Sequence, residues 1–390
     1  MSAVHPAVET ARNIAREVAA AAADDVDKNA RFPKECIDAQ KKEKLLGAFV
    51  PKELGGLGLG MSELAGMCEA FGGACAASGL VTAMHHIQVA CIVRHGIEVP
   101  ALERYLEEIA KEQRLIASVT SEVGIGGDMR SSITAIERHA DGTFTLDKDA
   151  STISYGEQAD DLLVSSRRDK DAPASDQVLT IVKKGDFTLE KKGTWDTLGM
   201  RGTCSPGFMM KSKGHVDQIL PLAFGDIASR TMVPFSHILW AAAWLGMATS
   251  AVSRARAYVR AEARKKPGTT PSSAMRLAEV MNLLQLMRNN VHDVAAECDR
   301  HLQDEIDKKG DQLLSIGFAI KMNNLKLGTS QLLAQIVQQC LLIVGLGGYK
   351  NDGKFSMGRL LRDSLSAQIM IGNDRIVATN AALLLVLKDD

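Results

Sequence analysis

The sequence predicts an α+β fold in three parts: an N-terminal α-helical domain, a central β-barrel and a C-terminal four-helix bundle. Three observations predict it, namely helical periodicity near the start, short runs of β-branched residues in the middle, and long helical segments in the remainder. A chain of 390 residues is long enough to bury a large core in several units. We place the domains at residues 1–115, 116–225 and 226–390.

The N-terminal domain is predicted from alanine-rich charged turns followed by two helical stretches. These stretches are 62-SELAGMCEAFG-72 and 82-TAMHHIQVACIVRHG-96, with glycine and proline interruptions at Pro51 to Gly60 and at Pro100. Glycine and proline end helices, so we expect several helices joined by short turns.

The β-barrel is predicted from short apolar runs that turn residues separate. Asp141-Gly142 and Lys184-Gly185 are typical of tight turns between strands. The runs are 143-TFTLD-147, 161-DLLVSSR-167, 178-VLTIVKK-184 and 208-FMMKSK-213.

The bundle is predicted from four long segments, at about 230–262, 272–304, 313–344 and 359–388. The stretch 265-KKPGTTPSS-273 is a loop between two of them. Long helices with short connections favour antiparallel packing.

Charge and cysteine usage exclude several classes of protein. The 46 Lys and Arg residues balance 47 Asp and Glu, so we expect neither a nucleic-acid partner nor a membrane surface. Seven cysteines lie without metal-ligand spacing, which predicts no metal site and indicates a reducing compartment. We also expect no stretch of about twenty uncharged apolar residues, and therefore a cytoplasmic protein.

A glycine-rich turn within 118-SVTSEVGIGGDMRSSITA-135 is the best candidate for a cofactor site. Gly124, Gly126 and Gly127 leave backbone amides open to a ligand, and serine and threonine hydroxyls flank them. The spacing is not G-x-G-x-x-G and no strand–helix alternation surrounds it, which argues against a Rossmann site.

The order of motifs resembles the acyl-CoA dehydrogenase superfamily of flavoproteins. The matching strings run in register over nearly the whole chain: 50-VPKELGGLGLGMSEL-64, 117-ASVTSEVGIGGD-128, 152-TIS-154, 195-WDTLGMRGTCS-205, 277-LAEVM-281 and 345-GLGGY-349 leading to 359-RLLRD-363. The resemblance implies FAD held between barrel and bundle and shared across subunits of a homotetramer or homodimer.

The resemblance also implies which residues contact the flavin. Ser121, Gly126 and Gly127 would contact the isoalloxazine ring or the pyrophosphate, and Ile153 and Ser154 would line the flavin near its N5 edge. The adenosine half would be contacted by Gly345, Gly347 and Gly348 of a neighbouring subunit. The last contacts would come from Asn373 and Arg375, and the pyrophosphate arginine would be Arg264 or Arg260.

The sequence departs from the family where the catalytic base should stand. Ile371 occupies the usual glutamate position, and Ser236 occupies the alternative one used by some relatives. An aliphatic side chain cannot accept the α proton of an acyl thioester. The replacement candidates are His86, Ser236, His237 and Asp374.

Three functions follow from the resemblance. The first is α,β-dehydrogenation of an acyl thioester, carried on CoA or on acyl carrier protein, with an electron-transfer flavoprotein as electron acceptor. The second is a flavin monooxygenase of the same fold, served by a flavin reductase, and the third is a non-catalytic paralogue that retains FAD.

Overall fold

The computed structural model describes residues 4–388. The predicted domain limits at 1–3 and 389–390 lie outside these residues. Six helices come first, and β1 begins at Ile116. They are α1 (Pro6–Ile14), α2 (Ala20–Lys28), α3 (Lys34–Lys42), α4 (Met61–Ala74), α5 (Ala76–Gly96) and α6 (Pro100–Glu112), with a π-helical turn, Ala15–Ala19, joining α1 to α2.

The start of α4 is fixed by a residue far away in the chain. The Asp299 carboxylate accepts hydrogen bonds from the amides of Met61, at 2.5 Å, and Ser62, at 2.9 Å. Glu63 adds a local contact by accepting from the Gly60 amide at 3.0 Å. These bonds satisfy donors that the first turn of a helix otherwise leaves without partners.

Helix α5 is apolar on all sides because other elements cover it all round. It packs against α4 and β1 and, from the C-terminal region, against α8 and the π-helical turn before it. His85 fixes β1 against it: its Nδ1 accepts from the Ile116 amide at 3.1 Å and its Nε2 donates to the Leu46 carbonyl at 2.8 Å.

The central region forms two sheets. The first has the order β1-β4-β5, with β1 and β4 parallel, and the second has the order β2-β3-β7-β6, all antiparallel. Two isolated bridges, Ala135–Arg167 and Thr180–Ile219, lie outside these ladders. The predicted barrel therefore takes the form of two separate sheets, whose buried side chains share one core. The strands are β1 (Ile116–Val119), β2 (Glu137–Arg138), β3 (Thr143–Ala150), β4 (Asp161–Arg167), β5 (Gln177–Lys183), β6 (Phe187–Lys192) and β7 (Gly207–His215).

The C-terminal region contains the predicted long helices. The last predicted segment is divided, because Ile371 and Gly372 take positive φ angles of 64° and 69° that an α-helix cannot contain. The helices are α7 (Phe224–Ile227), α8 (Val233–Lys265), α9 (Ser273–Ile306), α10 (Ile316–Val344), α11 (Leu346–Tyr349), α12 (Gly358–Ile369) and α13 (Asn373–Leu384), with a π-helical turn at Ala228–Met232 before α8.

The expectation of no long apolar stretch is wrong. Three helical stretches, Ala76–Gly96, Phe224–Lys265 and Ile316–Val344, are long and apolar enough to cross a membrane. Their apolar windows are 94%, 89% and 44% buried inside the protein, so the first two are core helices in this fold. The apolar runs of the first two are long because these helices are covered on nearly every side.

Candidate functional site

The glycine-rich turn is joined to the start of α13 by Arg375. Its guanidinium donates to the carbonyl of Gly126 at 2.7 Å and also to the carbonyl of Gly127. Both glycines have positive φ angles, 60° and 76°, which other residues rarely adopt. A Cβ at Gly126 would meet no atom within 4 Å, so open space lies beside the turn.

The amides of this turn are available to a ligand. Within residues 4–388, the amides of Gly124, Ile125, Gly126 and Gly127 donate no hydrogen bond, while Arg375 occupies two of the carbonyls. Consecutive free amides attract the oxygens of a phosphate or of a heterocycle edge. The turn therefore fits a flavin, which carries both kinds of group.

The predicted N5-edge residues lie beside this turn. The Ser121 hydroxyl donates to the Thr152 carbonyl at 2.6 Å and accepts from the Thr152 amide at 3.0 Å. That contact places the turn next to Ile153, which is buried, and Ser154, whose hydroxyl accepts from Ser205 at 2.8 Å. The structure thus brings Ser121, Ile153 and Ser154 together with the glycines.

The sequence analysis missed a buried carboxylate, Glu122, which precedes the glycines and binds the segment that follows them. Glu122 accepts from the Ser132 hydroxyl and the Thr134 amide, each at 2.7 Å, and from the Ile133 amide at 3.1 Å. Burial raises the pKa of Glu122, but these bonds and the Lys148 charge outweigh burial and hold it below its usual value. Its position between two hydroxyl-rich segments is the available sequence signal.

The segment between α12 and α13 contains the position where the base is expected. Ile371 is half-buried and has φ +64°, which is unusual for a β-branched residue. Its amide donates no hydrogen bond within the described residues. The neighbouring Asp374 is exposed in the first turn of α13, and Asn373 accepts from the Lys326 ammonium at 2.6 Å.

Three of the four candidates for the missing base, His86, Ser236 and His237, are buried. Ser236 donates to the Val233 carbonyl in its own helix at 2.9 Å, and the Nε2 of the adjacent His237 has no partner among residues 4–388. Burial, together with the Lys326 charge, lowers the pKa of His237 to about 3. Burial also lowers the pKa of His86, and neither of its ring nitrogens has a partner within the same described range. Both imidazoles are therefore neutral near pH 7.

The remaining predicted contacts lie elsewhere on the chain. Gly345, Gly347 and Gly348 follow the end of α10, beside Leu346 and Tyr349, which are 71% and 75% exposed. Arg264 is exposed near the end of α8, and so is Arg260. Within the described residues none of these forms a hydrogen bond with the glycine-rich turn, and the role of the three glycines at a neighbouring subunit's flavin stays a prediction.

Lys326 is the second residue that sequence reasoning missed. It is fully buried in α10 and donates to Asn373, two residues after Ile371, which stands at the expected base position. Its sequence signal was its place on the buried stripe of α10, between Met322 and Leu333 at helical spacing.

The free amides, the clustered hydroxyls and the three-part fold together define a flavin-dependent oxidoreductase. The model for the N-terminal domain of acyl-CoA dehydrogenase matches residues 5–113, and the model for the C-terminal domain matches residues 227–382. The chain belongs to the acyl-CoA dehydrogenase family.

Known proteins of several activities share this similarity. The mitochondrial isovaleryl-CoA dehydrogenase of Oryza sativa subsp. japonica is 26% identical over 379 residues, covering 94% of this chain and 87% of that protein. Butyryl-CoA dehydrogenase from Megasphaera elsdenii has a TM-score of 0.82 at 22% identity, covering 97% of each chain. Dibenzothiophene monooxygenase from Paenibacillus sp. A11-2 has a TM-score of 0.83 at 18% identity, covering 99% of this chain and 98% of that one.

Proposed function

We propose that the protein binds FAD and removes two hydrogens from Cα and Cβ of an acyl thioester carried on CoA or acyl carrier protein. The observation that carries the proposal is the turn at Gly124 to Gly127, whose amides have no partner among residues 4–388 and in which Arg375 binds the Gly126 and Gly127 carbonyls. Ser121, just before this turn, hydrogen-bonds Thr152, two residues before Ser154. Bound FAD supplies the hydride acceptor of this reaction.

The chain supplies the polarising group for the thioester carbonyl. The Ile371 amide has no hydrogen-bond partner between residues 4 and 388 and lies at the α12–α13 junction, where the family places this contact. A backbone donor at that point would stabilise the negative charge that develops on the carbonyl oxygen when the α proton leaves. Replacement of the usual glutamate by isoleucine leaves this donor in place.

The acceptor of the α proton is the open question in this mechanism. A neutral His237 with a pKa near 3 is a weak base, although its ring can still donate a hydrogen bond. We also propose His86, Ser236 and Asp374 as acceptors of the α proton. Proton removal by a poor base predicts slow turnover with unactivated acyl chains and faster turnover where the α proton is more acidic.

Anaerobic titration tests the proposed activity. The FAD-loaded protein is mixed with saturated, branched and aryl-substituted acyl-CoA thioesters, and loss of the oxidised flavin absorbance is followed. Reduction by at least one thioester, with the matching enoyl product, supports dehydrogenation. A flavin that every thioester leaves oxidised contradicts it.

The alternative is a flavin monooxygenase, and one observation favours it. Neither base position, 371 or 236, holds a carboxylate, while neutral buried imidazoles stand at His86 and His237. Oxygen uptake coupled to product in the presence of a flavin reductase supports this reading. If the protein binds FAD but no thioester reduces it and no reductase-coupled oxygen uptake gives a product, the third possibility, a non-catalytic paralogue, is supported.

We also propose a homotetramer or homodimer in the cytoplasm, with an electron-transfer flavoprotein as electron acceptor. Large apolar side chains near the end of α10, on α11 and on α12 are exposed, namely Leu342 at 54%, Leu346 at 71% and Ile369 at 78%. Such patches suit an interface between copies of the chain. Light scattering on the purified protein measures the assembly.

A further inference from the structure

Lys326 is a buried cation without a counter-ion. Its side chain is fully buried in α10, and it forms no ion pair with any residue between 4 and 388. Burial lowers its pKa to about 8. A buried ammonium costs free energy, so its hydrogen bonds are the place to look for its role.

Lys326 binds one side chain, at the junction that faces the proposed site. Its ammonium donates to Asn373 Oδ1 at 2.6 Å, and Asn373 donates through Nδ2 to the Ser330 hydroxyl at 3.2 Å. Lys326 and Ser330 are four residues apart on one face of α10, so both ends of the Asn373 amide are fixed to the same helix.

Two contacts therefore fix the first turn of α13 from opposite directions. Asn373 ties it to α10, and Arg375 ties it to the carbonyls of Gly126 and Gly127. Ile371, directly before this turn, holds a positive φ angle that is strained for a β-branched residue, whereas Gly372 adopts its positive φ without strain. The position of the free Ile371 amide depends on both contacts.

We propose that Lys326 is a positioning residue, which fixes the Ile371–Arg375 segment through Asn373 so that this segment can complete the flavin site. The proposal rests on the proposed function, since it needs a bound flavin. Lys326 acts through Asn373 and does not touch substrate. A methionine would fill the same volume without the buried charge, so retaining lysine at a cost in stability indicates a role beyond packing.

Flavin affinity and fold stability separate a positioning role from a structural one. Lys326→Met removes the donor, whereas Lys326→Gln removes the charge and keeps an amide donor. Each variant is titrated with FAD by fluorescence quenching, its bound-flavin absorbance spectrum is recorded, and its apo form is melted. Lys321→Met is the matched control, since Lys321 lies on the same helix but pairs with Glu297 on the outside, at 2.6 and 2.8 Å.

The expected results are specific. Lys326→Met weakens FAD binding by about tenfold and shifts the flavin spectrum, in keeping with the loss of a charge-assisted hydrogen bond. The apo melting temperature stays level or rises because the unpaired charge is gone. Lys326→Gln recovers part of the affinity, and Asn373→Ala reproduces the loss without adding to it in the double variant.

Other outcomes overturn the proposal. FAD affinity and spectrum equal to those of Lys321→Met, or strictly additive losses with Asn373→Ala, show that Lys326 does not act through Asn373. A wild-type protein that binds no FAD overturns the proposed function and this inference together. If the wild type binds FAD and Lys326→Met binds it with the same affinity and spectrum, the inference about Lys326 is overturned and the proposed function is not.

Discussion

The guanidinium of Arg375 and the carbonyl oxygen of Gly126 lie 2.7 Å apart, and this hydrogen bond connects residues 249 positions apart in the chain. A second bond from the same guanidinium reaches Gly127. Arg375 thus occupies two carbonyls of the turn, while the amides from Gly124 to Gly127 have no partner among residues 4–388 and open space lies beside Gly126. The turn is thereby preorganised for an acceptor-rich ligand.

Removal of the Arg375 contact is expected to weaken FAD binding. Arg375→Met loses both hydrogen bonds, and Arg375→Lys replaces a planar fork by a point charge that cannot serve both carbonyls equally. We expect about a tenfold or larger rise in the FAD dissociation constant for Met and a smaller one for Lys. The control is Arg130→Met, since Arg130 pairs with the nearby Asp128 and with no other acidic residue in the described part of the chain. Equal FAD affinities for Arg375→Met and Arg130→Met would show that the hydrogen bonds from Arg375 to the turn are not needed for FAD binding.

Introduction of a carboxylate at position 371 is expected to speed dehydrogenation. Ile371→Glu places a base where the family uses one, and a positioned general base contributes about a hundredfold or more. The measurement is the anaerobic rate of flavin reduction by an acyl-CoA. Ile371→Gln has nearly the same shape and no basicity, so it should remain slow. Similar rates for Glu and Gln would indicate that another group already takes the proton.

Loss of the distant cap on α4 is expected to destabilise the fold. Asp299→Ala leaves the amides of Met61 and Ser62 without their acceptor, which costs about 1–2 kcal/mol of unfolding free energy. Asp299→Asn keeps one acceptor oxygen and should lose less. Denaturant unfolding measures the difference, with Asp293→Ala on the exposed face of α9 as the control. Equal unfolding midpoints for Asp299→Ala and Asp293→Ala would show that the Asp299 cap does not stabilise the fold.

Asp363 is expected to make stability fall as pH rises between about 4 and 6. Burial raises the pKa of Asp363 from 3.8 to about 6, although the Met200 amide bond and the Arg359 charge oppose that shift. The folded state therefore binds a proton that the unfolded state has released, and stability decreases with pH across this window. Asp363→Asn should flatten this slope, since Asn cannot titrate and can still accept from Met200. Melting curves across the window for both proteins give the comparison, and identical slopes would contradict the assignment.

The parts of the site that rest on local sequence could be predicted. The turn at Gly124 to Gly127 carries its own signal, because glycines and hydroxyl residues there serve a local conformation. Arg375 could be placed only through the resemblance, and its partners became visible in the fold. The substitution at Ile371 was also evident, since it is a change of residue type at an aligned position.

The parts that depend on tertiary contacts could not be predicted. Lys326, Glu122 and Asp299 act through partners that only the packed helices and sheets bring close. The division between α12 and α13 was missed because a helical pattern continues on both sides of Gly372. The apolar runs in α5 and α8 were underestimated because their charged residues lie toward the helix ends.

The first turn of α4 receives its cap from a residue 237 positions further along the chain than Ser62. During synthesis on a ribosome, α1 to α6 therefore emerge well before α9, and the amides that Asp299 will bind remain exposed to water until it arrives. Contacts of such long sequence separation slow folding. We expect nascent chains that stop short of α9 to be recognised by chaperones and proteases, so that the N-terminal helices reach their final form only as part of the nearly complete polypeptide.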